Sequence, residues 1–172
     1  MATKWLIDNA HSEVFFKVKH MVISTVTGEF TQFESSIDSE TDDFSNAKFI
    51  FSADIASINT KMTDRDNHLK SADFFDSANY PKLTFVSTTG LQNGKITGTF
   101  TIKDVSKEIT LDVDFGGVIK DPWGNQRAGF EISGKINRKD FGLNWSQVTE
   151  AGGLVVANEI ILQINAEFVE QK

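Results

Sequence analysis

Apolar residues recur at every second position along most of this chain, and that period marks strands with one buried face. Val14, Phe16, Val18 and His20 share one parity. Val26, Gly28 and Phe30 continue it, and Phe33, Ser35 and Ile37 follow on the opposite phase, which predicts a bulge between Phe30 and Phe33. The rhythm returns in Ala47, Phe49, Phe51, Ala53 and Ile55, in Leu83 and Phe85, and in Ile96, Gly98, Phe100 and Ile102. It continues in Ile109, Leu111, Val113 and Phe115, in Phe130, Ile132, Gly134 and Ile136, and in Ile160, Leu162, Ile164, Ala166 and Phe168. These runs amount to about eight short-spaced strands, the pattern of a sandwich or barrel. Eight antiparallel strands can close, which removes the sheet edges, so an all-β, eight-stranded antiparallel barrel stands as one reading beside the sandwich. Gln92-Asn93-Gly94 reads as a hairpin turn, and Asp121-Pro122-Trp123-Gly124-Asn125 as a second strong turn. No linker or low-complexity stretch divides the 172 residues, so one domain over 1–172 is expected.

Two stretches break the β period. Thr63 and Asp66 resemble a capping pair, and Met62, Leu69, Ala72 and Phe75 fall near one helical stripe. A short amphipathic helix is expected over about 61–78, stopped before Tyr80-Pro81 and packed on the barrel. The other stretch, about 140–158, contains Gly152-Gly153 and reads as a long loop of the kind that often serves as a lid.

A barrel of eight strands is just wide enough to be filled by side chains or to hold one small ligand. Gly28, Gly98 and Gly134 lie on the apolar parity, as do Ala47, Ala53, Ala128 and Ala166. Either they leave room for a cavity, or the glycines mark barrel corners. Phe outnumbers Tyr 15 to one, so aromatic volume comes almost without hydroxyls, and any cavity would be greasy. Such a wall suits a long hydrocarbon better than a sugar or nucleotide.

The net charge of −7 argues against a nucleic-acid partner and against electrostatic adhesion to an anionic membrane, although Lys17 and Lys19 leave room for a local basic rim. The chain has no Cys, which excludes disulfides and thiolate metal sites. No stretch approaches the ~18 apolar residues of a membrane span. The opening MATKWLIDNA has no signal-peptide pattern, so the expected location is cytoplasmic, or periplasmic or secreted if a signal has been removed.

Chemistry-bearing residues are few. His20 lies on the apolar parity, either as a head-group or metal contact or as a core histidine satisfied by its neighbours. His11 reads as a turn or cap residue. Asp64 and His68 share a helix face but lack further ligands nearby, so no metal is expected. Arg65-Asp66 reads as a helix-start pair, and the phosphate-loop, dinucleotide and nucleophile-elbow motifs are all missing. Trp123 and Trp145 lie in loops, either covering a barrel mouth or packing as satellites.

Several motifs together resemble one family. Trp5-x-Ile7-Asp8-x-x-His11-Ser12-x-Val14-x-Phe16-x-Val18-Lys19-His20-Met21 opens the match, followed by Ser24-x-Val26-x-Gly28-x-Phe30. Its most specific part is Arg65-Asp66-x-His68-Leu69-x-Ser71-x-Asp73-Phe74-Phe75-Asp76, then Tyr80-Pro81 and Phe85-x-Ser87-Thr88. Gly98, Phe100 to Ile102 and Arg138-x-Asp140-Phe141-Gly142 complete it. The chain closely resembles the YceI-like family of bacterial lipocalin-like barrels from Trp5 to Phe168. The departures, Asp104-Val105-Ser106 for Gly-Val-Thr and Asn59 for Asp, read as turn or cap changes.

The resemblance implies a lipocalin-like barrel whose interior binds a polyisoprenoid, such as an isoprenoid quinone or prenyl diphosphate, or another fatty amphiphile. It implies no catalytic activity, no cofactor beyond that bound lipid, and a homodimer in many members. The expected lipid-binding residues are Phe16, Val18, His20, Phe30, Phe49, Phe51, Phe85, Phe100, Leu111, Phe130 and Leu162. Arg65, His68, Phe74, Phe75 and Trp145 are candidates for the head group or the mouth. Two alternatives stand beside this reading: an enzyme acting on isoprenoid lipids with Asp66 and His68 as acid and base, and a stress-related structural or interaction protein whose interior is only packing.

Overall fold

A computed structural model describes residues 2–20, 23–143 and 156–172. Its strands are β1 (Thr3–Ile7), β2 (Glu13–His20), β3 (Ser24–Phe30), β4 (Phe33–Ser39), β5 (Lys48–Asp54) and β6 (Ile58–Asn59). After α1 (Thr63–Lys70) come β7 (Lys82–Ser87), β8 (Lys95–Ile102), β9 (Val105–Lys120), β10 (Gln126–Asn137) and β11 (Val156–Glu170). All pairings are antiparallel, and β1 pairs with both β4 and β11, so the ring β1-β4-β5-β7-β8-β9-β10-β11 closes on itself. This is the expected eight-stranded barrel.

The extra short strands come from bends, not from further staves. β1 and β2 are one path broken by a 3₁₀ turn at Asn9–His11, and both pair with β11. β3 and β4 are one path broken at Thr31 and Gln32, where the sequence places its bulge. The step lets Phe30 and Phe33 both turn inward, 6% and 7% exposed. β5 and β6 are broken by a 3₁₀ turn at Ile55–Ser57. Neighbouring breaks are stitched together: Thr31 N–H donates to the Ser57 carbonyl and Asp54 N–H to the Gln32 carbonyl.

Both expected turns are present. Asn93 and Gly94 have φ of 55° and 72°, the paired left-handed geometry of a tight hairpin. Asp121 Oδ1 accepts from the N–H groups of Trp123 and Asn125, each at 2.9 Å.

One end of the barrel is plugged. The β4–β5 connection turns Phe44 into the barrel, where it is fully buried at φ 58°. Its ring meets Trp5, Phe115 and Phe130 edge-on at centroid distances of 5.4, 5.3 and 5.2 Å. The T-shaped arrangement sets ring edges against ring faces, which favours aromatic pairs beyond their buried area.

The other end carries α1. The helix is shorter than the expected 61–78 and is not amphipathic: none of its residues is buried, and Met62 and Ala72 are exposed. Residues after Lys70 form turns instead, because Phe74, Phe75, Asp76 and Ser77 N–H groups bond back to Ser71, Leu69, Ser71 and Lys70 carbonyls. Those turns bring Phe74 and Phe75 inward. The expected Thr63 cap is absent. Met62 is the cap residue, and Asp66 accepts instead from the N–H and hydroxyl of Thr60. Of the expected loop over about 140–158, Asp140 and Phe141 belong to a 3₁₀ turn and Val156 to Asn158 to β11, while 144–155 lie outside the described residues.

Candidate functional site

Between plug and helix the barrel holds two apolar chambers, each enclosing about 80 Å³. The deeper one lies against Val14, Phe49, Phe51, Phe85, Ile96, Leu111, Ile132 and Phe168, with Ser35 as a polar member. Ser35 Oγ is satisfied, donating to the Ile50 carbonyl at 2.7 Å. The second chamber, under the helical end, lies against Val18, Leu69, Phe74, Phe75, Ile136, Arg138 and Ile160. Phe16, Phe30, Leu83, Phe100 and Leu162 face both chambers and form the partition between them. Phe16 and Phe30 pack with ring centroids 5.6 Å apart, and Phe30 meets Phe75 edge-on at 6.3 Å.

The inward glycines do not leave empty room. At Gly28 a Cβ would stand 2.2 Å from Cζ of Phe16, the residue opposite it across the β2–β3 pair. At Gly134 it would meet Leu111 Cδ2 at 2.5 Å, and at Gly98 the Val86 carbonyl oxygen at 2.5 Å and Phe85 Cζ at 2.6 Å. Each glycine is a seat for a neighbouring large side chain. The expectation that these positions open space is therefore corrected: the space is spent on packing, and the lumen is narrow against the ~300–1,000 Å³ of usual ligand pockets.

Of the expected lipid-contact residues, Phe16, Val18, Phe30, Phe49, Phe51, Phe85, Phe100, Leu111 and Leu162 line one or both chambers. Two do not. Phe130 belongs to the plug, stacked on Phe115 at 5.0 Å and edge-on to Phe168 at 5.7 Å. His20 ends β2, opposite Ser24 and Val156, and lies on the rim. Among the mouth candidates, Phe74 and Phe75 line the second chamber. Arg65 does not: its Nε donates to Thr60 Oγ1 at 2.8 Å and its Nη2 to the Thr60 carbonyl, so it fastens the turn into α1. His68 pairs with Asp73 at 3.0 Å and meets the Phe74 ring edge-on at 5.1 Å. Asp66 and His68 are thus committed to different partners and are not assembled as an acid–base pair. Trp145 lies outside the described residues. Trp123 sits 80% exposed in the β9–β10 turn, at the plugged end, and covers no mouth.

Arg138, which stands in the family motif with no site role expected of it, is 1% exposed in the wall of the second chamber. Its guanidinium donates to the carbonyls of Leu143 (2.7 Å), Ala157 (3.0 Å) and Val156 (3.3 Å). It therefore joins the 3₁₀ turn after β10 to the start of β11. Burial pushes its pKa down, yet an arginine starts so high that it stays charged. A lone Arg after an apolar strand carries no burial signal, so the sequence shows the motif position but not the buried role.

The remaining polar cluster sits outside the barrel. Arg127 donates to Asp121 at 2.7 Å, to Asp8 at 2.9 Å and to Glu167 at 3.3 Å. His11 approaches Asp8 at 2.8 Å and Glu167 at 3.5 Å. The donors of Asp8, His11 and Glu167 lie close enough for a cation, but the Arg127 guanidinium already occupies that role. His11 and Arg127 hold the Asp8 carboxyl below its usual range, and Arg127 with the Asn125 N–H holds that of Asp121 down to about 2.

Comparisons with known proteins agree with this architecture. UPF0312 protein SAS2572 of Staphylococcus aureus (strain MSSA476) is 41% identical over 167 residues, 96% of this chain and 97% of that relative. The YceI protein of Campylobacter jejuni superposes with a TM-score of 0.76 at 37% identity, covering 90% of each chain. BcnA of Burkholderia cenocepacia superposes with a TM-score of 0.78 at 22% identity, over 94% of this chain and 98% of that one. A polyisoprenoid binding domain from Saccharophagus degradans shares the fold at a TM-score of 0.71 and 17% identity, over 97% and 98% of the two chains. The YceI-like domain matches residues 5–168, and the chain belongs to the YceI-like family.

Proposed function

We propose that this protein is a binding protein, not an enzyme, which holds the tail of a long-chain amphiphilic lipid in the two chambers. A polyisoprenoid such as an isoprenoid quinone or prenyl diphosphate is the favoured class. The observation that carries the reading is the pair of chambers in line along the barrel, walled, among the described residues, almost wholly by Phe, Leu, Ile and Val. The polyisoprenoid-binding domain that shares the fold supports it. Apolar burial at about 25 cal/mol per Å² would supply the affinity, and a methyl-branched chain would thread past the partition as Phe16, Phe30 and Phe100 change rotamer. Transport, storage and sequestration all use the same complex. A homodimer, and a cytoplasmic or exported location, fit the same reading.

A prenol series of increasing length, competed against a fluorescent fatty acid, tests it. Affinity is expected to rise with each isoprene unit and level off once both chambers are full. Equal, weak binding at all lengths would refute tail burial. A second reading, a barrel whose interior is only packing, is favoured by one observation: each chamber measures only about 80 Å³. Failure of every prenol to bind would establish it.

A further inference from the structure

The inward residues of β11 trace a path along the lumen. Ile160 faces the second chamber, Leu162 stands in the partition, and Ile164, Ala166 and Phe168 face the deeper chamber. The wall closes along that path: Ile160, Leu162 and Ile164 are half-buried, whereas Ala166 and Phe168 are buried. From Ile160 to Phe168 the strand rises about 26 Å, which a barrel tilt of about 40° shortens to about 20 Å along the axis. The path ends on aromatic rings in two tiers. Phe49 and Phe168 line the chamber, and each meets Phe130 behind it edge-to-face, at 5.9 and 5.7 Å. Phe44, itself fully buried, backs Phe49 at 6.4 Å. Rings packed against rings in this way have no free volume to swing into.

We infer, resting on the lipid-binding reading above, that this floor gauges tail length: the end of the guest's tail abuts Phe49 and Phe168, and Phe49 with Ala166 sets the longest tail that the barrel buries. A trans carbon chain advances about 1.25 Å per bond, so an isoprene unit of roughly four bonds spans about 5 Å, and about four units fill the path. A longer tail has no deeper place to go. Its extra units stay in water at the other end and add no affinity. Two side chains set the gauge in opposite senses. Phe49→Ala removes more carbon atoms than an isoprene unit contains and lowers the floor. Ala166, opposite Phe130 in the β10–β11 pair, is the smallest of the inward residues on the path, and Ala166→Leu raises the floor.

The test measures Kd for farnesol, geranylgeraniol and geranylfarnesol, each competed against one fluorescent fatty acid on the full chain. In the wild type geranylgeraniol is expected to bind at least about tenfold more tightly than farnesol, and geranylfarnesol no more tightly than geranylgeraniol. In Phe49→Ala the step to geranylfarnesol should gain roughly tenfold, and in Ala166→Leu the step from farnesol to geranylgeraniol should fall to about one. Phe49→Leu should shift the levelling length the same way by less, and stands in where the alanine variant does not fold. Leu69→Ala, in the second chamber, should weaken all three prenols alike and leave the levelling length where it is. One levelling length shared by the wild type and the Phe49 and Ala166 variants would overturn the gauge while the lumen reading stands. A shift in Leu69→Ala as large as that in Phe49→Ala would overturn it too, as would a wild-type affinity that still climbs at geranylfarnesol. If no prenol competes with the probe on the folded protein, the lumen reading falls and this inference with it.

Discussion

Phe16→Ala should trade stability for capacity. The Phe16 ring lies over Gly28, packs on Phe30 at 5.6 Å and faces both chambers, so removing it opens the partition. Buried Phe→Ala changes cost about 3–5 kcal/mol. Phe16 is only partly buried and already borders free space on two sides, so the low end, about 3 kcal/mol, applies. A ligand that fills the merged space gives most of this back, because saturation at a hundred times Kd is worth about 2.7 kcal/mol. The ring also no longer has to swing aside, so the variant should bind geranylgeraniol roughly tenfold more tightly than the wild type, about 1.4 kcal/mol. Urea unfolding with and without geranylgeraniol, plus direct titration, reads all three quantities. A variant that loses stability but binds the prenol no more tightly would show that Phe16 is not a barrier between the chambers. A variant with unchanged stability would contradict its place in the packing.

Other changes probe the plug, the glycine seats and the ion-pair cluster. Phe44→Ala should cost about 3–5 kcal/mol, because it deletes the ring that meets Trp5, Phe115 and Phe130. The Trp5 emission should report the loss in the same denaturant titration. Gly98→Ala should lower stability by about 1–3 kcal/mol, since its Cβ would meet the Val86 carbonyl oxygen at 2.5 Å and Ser87 Cα at 2.7 Å, both backbone. Gly28→Ala instead meets the movable Phe16 ring, and a smaller drop in Tm than for Gly98→Ala is expected. The Asp121 carboxyl is held down to about 2 in the folded protein, below its usual range of about 3.9. Its stabilising effect is therefore complete above about pH 4 and lost as the pH falls toward 2. Asp121→Asn should flatten the fall in stability across that window, and an unchanged acid profile would contradict the pairing with Arg127.

Much of the barrel was legible because its wall is one-sided. A strand with Phe, Ile or Leu inward and Thr, Lys or Asp outward can hold only one register against its neighbours. The phase change between Phe30 and Phe33 placed a real step in the wall, and Asn93-Gly94 placed a real hairpin. What stayed hidden depends on contacts far apart in sequence. The plug rests on Phe44, which stands outside any period, in a connection whose buried conformation is fixed by rings from four strands. The helix was overdrawn because Met62, Leu69, Ala72 and Phe75 fit a stripe by spacing alone, while the chain satisfies its backbone after Lys70 with turns. Inward glycines looked like room, because composition records a missing side chain but not the neighbour laid across it. Arg65 and Asp66 read as a helix-start pair and both bond to Thr60 there, while Arg65 and His68, also candidates for the mouth, direct side-chain hydrogen bonds to Thr60 and Asp73. Arg138 stands in the motif, but spacing could not show that its guanidinium is buried against three backbone carbonyls.

The chambers in line make one claim above the rest: that the barrel carries a guest chain. Native mass spectrometry of the protein, purified without detergent and then incubated with geranylgeraniol, tests it most directly. The account predicts a noncovalent complex of one lipid per barrel, either carried from the cell or formed on incubation, and its weakening when Leu162→Trp fills the partition. A bare polypeptide mass before and after incubation, with the protein folded, would contradict it.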